Sequence, residues 1–206
     1  MKAQAIAFAI SLGATPSAPA LAQAVLKADP ERAQAIVSRL CVACHAADGN
    51  SMLPENPRLA GLQAEYLAKQ LNDFKKGDRS NEVMTPMVAG LGADDISSLA
   101  VFFSEKRAAP GSVRRPQLIE AGKKVYNEGN VESGVPSCSG CHYPDGSGTK
   151  RFPRLAGQHA EYTLKQMKDF KNSKRENDRG LVMQSVALRL SDAEMEAVAE
   201  YIAGLK

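Results

Sequence analysis

Two pentapeptides in this chain bring a pair of thiols and an imidazole together: Cys41-Val-Ala-Cys44-His45 and Cys138-Ser-Gly-Cys141-His142. Four chemistries use such a segment: half of a zinc site, a thiol-disulfide redox pair, a structural disulfide, or the attachment point of a c-type haem. All four cysteines of the chain lie in these two segments. A tetrahedral zinc site is therefore short of ligands, since each segment offers two cysteines and one histidine, and the only further histidine is His159. A redox pair of the thioredoxin kind asks for a preceding strand in a βαβ setting, which the sequence does not supply. A plain disulfide needs no histidine directly after its second cysteine. Covalent haem uses all three residues. Cys41 and Cys44, and again Cys138 and Cys141, form thioethers to the ring, and His45 and His142 face the iron as proximal ligands. The expected cofactors are two covalently bound haem c groups.

The two segments sit in a duplicated chain. "PRLAGLQAEYLAKQLNDFK", Pro57 to Lys75, returns as "PRLAGQHAEYTLKQMKDFK", Pro153 to Lys171. Each motif is followed by an Asp-Gly, Asp48-Gly49 and Asp145-Gly146. Repetition at this scale means two copies of one structural unit. The second copy carries a Gly- and Ser-rich insertion, Gly129 to Pro136, expected as a surface loop. Between the copies, Lys106 to Gln117 trades apolar periodicity for proline, glycine and charge. The expected division is a leader at 1–22, a first domain at 23–108, a linker at 109–117 and a second domain at 118–206.

Helices must position the motifs, because no stretch alternates long enough for a sheet. Pro30 to Leu40 has helix-favouring composition with proline in its first turn. Leu67, Leu71 and Phe74 share one helical face, repeated by Thr163, Met167 and Phe170. A third helix is expected from about Asp94 to Lys106 and again from Asp192 to Leu205, the latter opened by a Ser191-x-x-Glu194 capping box. The fold class is all-α. Lys76 to Gly92 and Asn172 to Leu190 lack a helical pattern, and loops of that length in a small domain are usually functional.

Those two loops hold the candidates for the sixth iron ligand. His159 aligns with Gln63, so the repeat does not preserve a second histidine. Methionine is the usual alternative. Met167 and Met195 occupy apolar helical positions that hold Leu71 and Ile96 in the first copy, and read as core. Met52 follows His45 too closely and has only Thr149 opposite it. "VMTPMVAGLGADDI" and "VMQSVALRLSDAEM" place Met84 opposite Met183, each seven residues before a leucine, Leu91 or Leu190. The expected metal ligands are His45 and Met84, and His142 and Met183, with Met87 beside the first. Pro57 and Pro153 read equally well as a turn before a helix or as carbonyls that orient the proximal histidines. Arg58, Arg154, Tyr66, Tyr162, Lys69 and Lys165 recur in both copies, as propionate partners or as solvated helix faces.

At the N-terminus, Met1-Lys2, an apolar run from Ala5 to Ala14 and a small-residue Ala20-Leu21-Ala22 end read as a cleavable secretory signal, cut after Ala22 or Ala24. Export to the periplasm is the expectation. Charge is nearly balanced, 26 Lys and Arg against 23 Asp and Glu, which argues against nucleic acid as a partner.

With the two haem motifs, the duplicated "PRLAG…EY…KQ…DFK" block and the paired methionines, the mature chain resembles the dihaem cytochromes c4. That resemblance implies two tandem class I cytochrome c domains with His/Met-ligated irons and haem edges near each other. It also implies a periplasmic electron carrier between quinol-oxidising complexes (quinol-cytochrome c reductase) and terminal oxidases or reductases, peripherally membrane-associated in some members. In such domains glycine often lets the first and last helices cross closely, and Gly122 has only Ala33 opposite it. Six-coordinate irons change oxidation state without gaining or losing a ligand, which suits a carrier. A dihaem peroxidase-like or thiosulfate-oxidising enzyme would need an open iron and distal acid-base residues. A haem-based sensor would need a labile ligand. Nothing in the sequence singles out either.

Overall fold

The computed structural model describes residues 28–206. The expected leader at 1–22 lies outside them. Among the described residues there are ten α-helices and no strand, only an isolated bridge between Asn130 and Val135 that pinches the inserted loop into a small hairpin.

The first repeat begins with α1 (Pro30–Ile36). Asp29 caps it by accepting the Arg32 N–H at 2.9 Å, with Pro30 pre-set for the first turn. A wide π turn, Val37–Cys41, carries the chain into α2 (Val42–His45), so the helix expected over 30–40 runs on through the cysteine motif. Then come α3 (Ala64–Lys76), closed by Gly77 in the left-handed region, α4 (Met84–Val88) and α5 (Ala93–Ser104). The second repeat follows the same order: α6 (Ile119–Glu128), α7 (Ser139–His142), α8 (Ala160–Lys171), α9 (Val182–Arg189) and α10 (Asp192–Gly204). Both bonds of the expected Ser191–Glu194 capping box are present.

Each repeat has its own core. In the first, α1 and α3 pack on α5 through Ala33, Ile36, Leu67, Phe74, Leu99 and Phe103. In the second, α6 and α8 pack on α10 through Val125, Tyr126, Phe170, Met195, Val198 and Ile202. The α6–α10 crossing is tight at Gly122. A Cβ there would stand 2.6 Å from the carbonyl carbon of Ala197 and 2.8 Å from the Cβ of Tyr201. Ala33, at the matching place on α1, is fully buried with its methyl group accommodated.

The linker lies pinned to both repeats. Asn50 accepts the Ala109 N–H and donates to the Arg107 carbonyl, and Arg58 donates to the carbonyls of Ala109 and Pro110. On the other side, Glu200, 2% exposed, accepts the N–H groups of Arg114 and Arg115 and the Arg115 guanidinium. Directly between the repeats, two arginines exchange places. Arg79 stacks on its own Phe74 and donates to Tyr162 and Gln166, while Arg175 stacks on its own Phe170 and donates to Tyr66 and Gln70. This reciprocal pattern is that of an isologous dimer contact, made here within one chain.

Candidate functional site

Each histidine is the last residue of a one-turn helix that has the first cysteine of its motif at the N-cap and the second cysteine inside it. Such a turn places residues three and four apart on one side, so Cys41, Cys44 and His45 address a common space, as do Cys138, Cys141 and His142. The four thiols are unpaired and partly buried. Both histidines are buried, and desolvation lowers their pKa against the opposing pull of a carbonyl, which keeps the rings neutral and able to ligate.

That carbonyl comes from the "PRLAG" segment in both copies. His45 Nδ1 lies 2.9 Å from the Pro57 oxygen and His142 Nδ1 2.9 Å from the Pro153 oxygen. An oxygen accepts, so Nδ1 carries the proton in each ring and Nε2 is left for a metal. The carbonyls are held in place by a fold-back that begins directly after each histidine. Ala46 and Tyr143 turn the chain at positive φ, and Gly49 and Gly146, also at positive φ, follow three residues on. The carbonyl of Gly49 accepts the N–H groups of Leu59 and Ala60, and that of Gly146 those of Leu155 and Ala156. A Cβ at Gly49 would meet the Ala60 nitrogen and the Phe103 ring at 2.8 Å. Glycine is required there both for its φ and for its closeness. The carbonyl role read for Pro57 and Pro153 is what the geometry contains.

The methionines sit on short helices rather than in irregular loops. Asn81 caps α4 by accepting the N–H groups of Val83 and Met84, and Asp178 caps α9 by accepting that of Met183. Met84 packs against the first core together with Cys41, and Met183 against the second together with Cys138. Met87 is 43% exposed and Met52 85% exposed, so neither shares that placement. Met167 and Met195 are buried core, as their helical register implies. His159 is drawn elsewhere: its Nε2 lies 3.0 Å from both the hydroxyl and the carbonyl oxygen of Ser51 in the first repeat.

The zinc reading fails on geometry, since among the described residues no three His, Cys, Asp or Glu side chains, those of the two motifs included, come close enough together to share one metal ion. The haem reading fits. Beyond the thiols and imidazoles, the buried Nε atoms of Arg58 and of its repeat mate Arg154 lack any acceptor. A buried guanidinium N–H without a partner is costly, and a ring carboxylate would satisfy it. The lysines behave differently: Lys69 and Lys165 pair with Asp73 and Asp169 one turn along their own helices. Tyr66 and Tyr162 serve the contact between repeats. Sequence reasoning missed Gln63 and Gln158, whose side chains cross from one repeat to the other, and Arg79 and Arg175. The arginines carried a signal, an offset of 96 residues with the same stacked phenylalanine before each.

Comparison with known proteins agrees with this geometry. The family model described as Cytochrome c matches residues 30–104 and 119–206. The chain is 43% identical over 180 residues to a cytochrome c4 of Thiocapsa roseopersicina, covering 86% of this chain and 93% of that protein. It is 38% identical over 167 residues to a thiosulfate dehydrogenase electron acceptor of Thiomonas intermedia, covering 79% of this chain and 77% of that one. In structure it is similar to the reduced recombinant cytochrome c4 of Pseudomonas stutzeri, with a TM-score of 0.83 and 40% identity, covering 87% of this chain and all of that one.

Proposed function

The chain belongs to the cytochrome c4 family, and from that footing we propose that it is a periplasmic relay taking electrons from a quinol-oxidising complex and passing them to a terminal oxidase or reductase. It is a dihaem electron carrier and not an enzyme, with two haem c groups bound covalently at Cys41 and Cys44 and at Cys138 and Cys141. When bound, each haem supplies a one-electron couple. The chain's own part is to hold that couple still. Pro57 and Pro153 fix each imidazole, and α4 and α9 set a thioether beside each core, so oxidation and reduction need no rearrangement of ligands.

One observation carries the assignment of ligands: Met84 and Met183 each pack against the same core as the first cysteine of their own motif, while Met87 is 43% exposed. Replacing Met84 or Met183 by leucine is expected to abolish the iron–sulfur charge-transfer band of one haem each, leaving the other intact. Loss of a band in Met87→Leu with retention in Met84→Leu would overturn the assignment. Ready binding of carbon monoxide by either reduced haem at neutral pH would count against a simple carrier.

The periplasmic location is supported by the leader-like start at 1–22. No helix among the described residues is long and apolar enough to cross a membrane. The relatives named as electron acceptors of thiosulfate dehydrogenase favour a second donor for the same carrier, a thiosulfate-oxidising enzyme. Stopped-flow reduction of the ferric protein by each donor class separates the two: the physiological donor reduces it at a rate that saturates with carrier concentration, and the other does not.

A further inference from the structure

Each motif histidine is oriented by a peptide group whose far end is held by the opposite repeat. The Pro57 carbonyl that accepts from His45 belongs to the same peptide as the Arg58 N–H, and that N–H donates to Gln158 Oε1 at 2.9 Å. The Pro153 carbonyl that accepts from His142 belongs to the same peptide as the Arg154 N–H, which donates to Gln63 Oε1 at 2.9 Å. Neither glutamine is free to turn away. Gln158 Nε2 donates to the Arg58 carbonyl at 3.0 Å, and Gln63 Nε2 to the Ser147 carbonyl at 2.8 Å.

An amide is a conjugated unit, so an acceptor on its N–H moves electron density toward its oxygen. Hydrogen bonds in such a chain strengthen one another. A more negative Pro57 or Pro153 oxygen pulls harder on the imidazole Nδ1–H, which makes Nε2 a stronger donor. A stronger donor favours the ferric state. We propose that Gln63 and Gln158 are positioning residues that lower the reduction potential of the haem in the opposite repeat, Gln63 acting on the second and Gln158 on the first. This rests on His45 and His142 being the proximal ligands.

The test is Gln63→Met in the holoprotein, which keeps the chain length and removes the acceptor. A direct partner of a metal-bound histidine is worth tenfold or more, and one bond further out about threefold is expected. The ferric-to-ferrous ratio of the second couple should fall about threefold at fixed applied potential, equivalent to about 28 mV at 59 mV per decade. The first couple should not move. Gln63→Glu restores a stronger acceptor and should shift the second couple the other way. Gln158→Met should raise only the first couple. Couples are assigned through the hyperfine-shifted ring protons of His45 and His142 in the ferric protein. An unmoved second couple in Gln63→Met, with His142 still hyperfine-shifted, overturns the relay and leaves the ligand assignment standing. Equal shifts of both couples would mean that the repeats had merely loosened, and overturn it as well. His142 ring protons without a hyperfine shift overturn the ligand assignment, and the relay with it.

Discussion

Gly122→Ala tests how closely the second repeat closes around its site. The added Cβ would stand 2.6 Å from the Ala197 carbonyl carbon and 2.8 Å from the Tyr201 Cβ. The Ala197 carbonyl oxygen would lie closer still, and since non-bonded carbons sit comfortably at about 3.5 Å, α6 and α10 would have to part by more than about 0.9 Å. The nearest obstacle is main chain, which cannot swing aside as a long side chain can. Overpacking costs about 1–3 kcal/mol, and a rigid obstacle puts this site near the top of that range. Helix propensity opposes it, since alanine is favoured over glycine by about 1 kcal/mol in a helix interior. The net expectation is a loss of about 2 kcal/mol, or about thirtyfold in the ratio of folded to unfolded second repeat. The chain has no tryptophan, so denaturant unfolding of the holoprotein is followed by far-ultraviolet circular dichroism and haem absorption. Ala33→Gly is the matched control. It removes a fully buried methyl group and should cost about 0.8 kcal/mol for burial plus about 1 for propensity, by a different route. If Gly122→Ala unfolds at or above the parent's midpoint, propensity has won and the close crossing of α6 and α10 does not limit the stability of the second repeat.

Glu200→Gln should release the linker from α10. Burial alone would raise this carboxyl, yet the N–H groups of Arg114 and Arg115 and the Arg115 guanidinium hold it below its ordinary value. A group depressed in the folded state stabilises it above the unfolded pKa of about 4.3 and loses that contribution as pH falls through the folded pKa. The variant is therefore expected to be about 2 kcal/mol less stable at pH 7, and its denaturation midpoint should converge on the parent's below about pH 4; a constant difference across that range would count against the latch. Arg175→Met removes the donor to the Tyr66 hydroxyl and one of three donors to Gln70 Oε1, which keeps Arg79 and Asn177, and replaces an arginine that is 7% exposed. It should cost about 2–3 kcal/mol and let the repeats separate, seen as a larger radius of gyration in solution scattering, whereas an unchanged radius would mean that the linker alone sets their spacing.

The parts of the site that lie close in sequence were the legible ones. Five consecutive residues name the attachment chemistry, and the 96-residue repeat of "PRLAG" offered a carbonyl for each histidine as one of two equal readings. The α3, α5, α8 and α10 helices announce themselves because each buries one stripe of a long amphipathic turn pattern. The α4 and α9 helices do not. They are five and eight residues long, too short to be stable alone, and form because Val88 and Leu91, or Ala187 and Leu190, are buried against a core assembled from elsewhere. Their caps were equally hidden, since Asn81 and Asp178 do the same work from positions that the repeat does not align.

The glutamines extend that lesson from local structure to function. Arg79 and Arg175 are true repeat mates, so their exchange of partners follows the symmetry of the duplication. Gln63 and Gln158 are not mates: Gln63 aligns with His159, and Gln158 with Leu62. They nevertheless bond to equivalent peptides, Pro153–Arg154 and Pro57–Arg58. In a symmetric dimer of one such domain, a change at either position would alter both sites together. In this chain the same chemistry is delivered through two unrelated positions, so one substitution can move one couple and leave its neighbour alone. The two haems can then hold different potentials without any difference in their direct ligands, and the direction of internal electron flow can be set from the contact between the repeats.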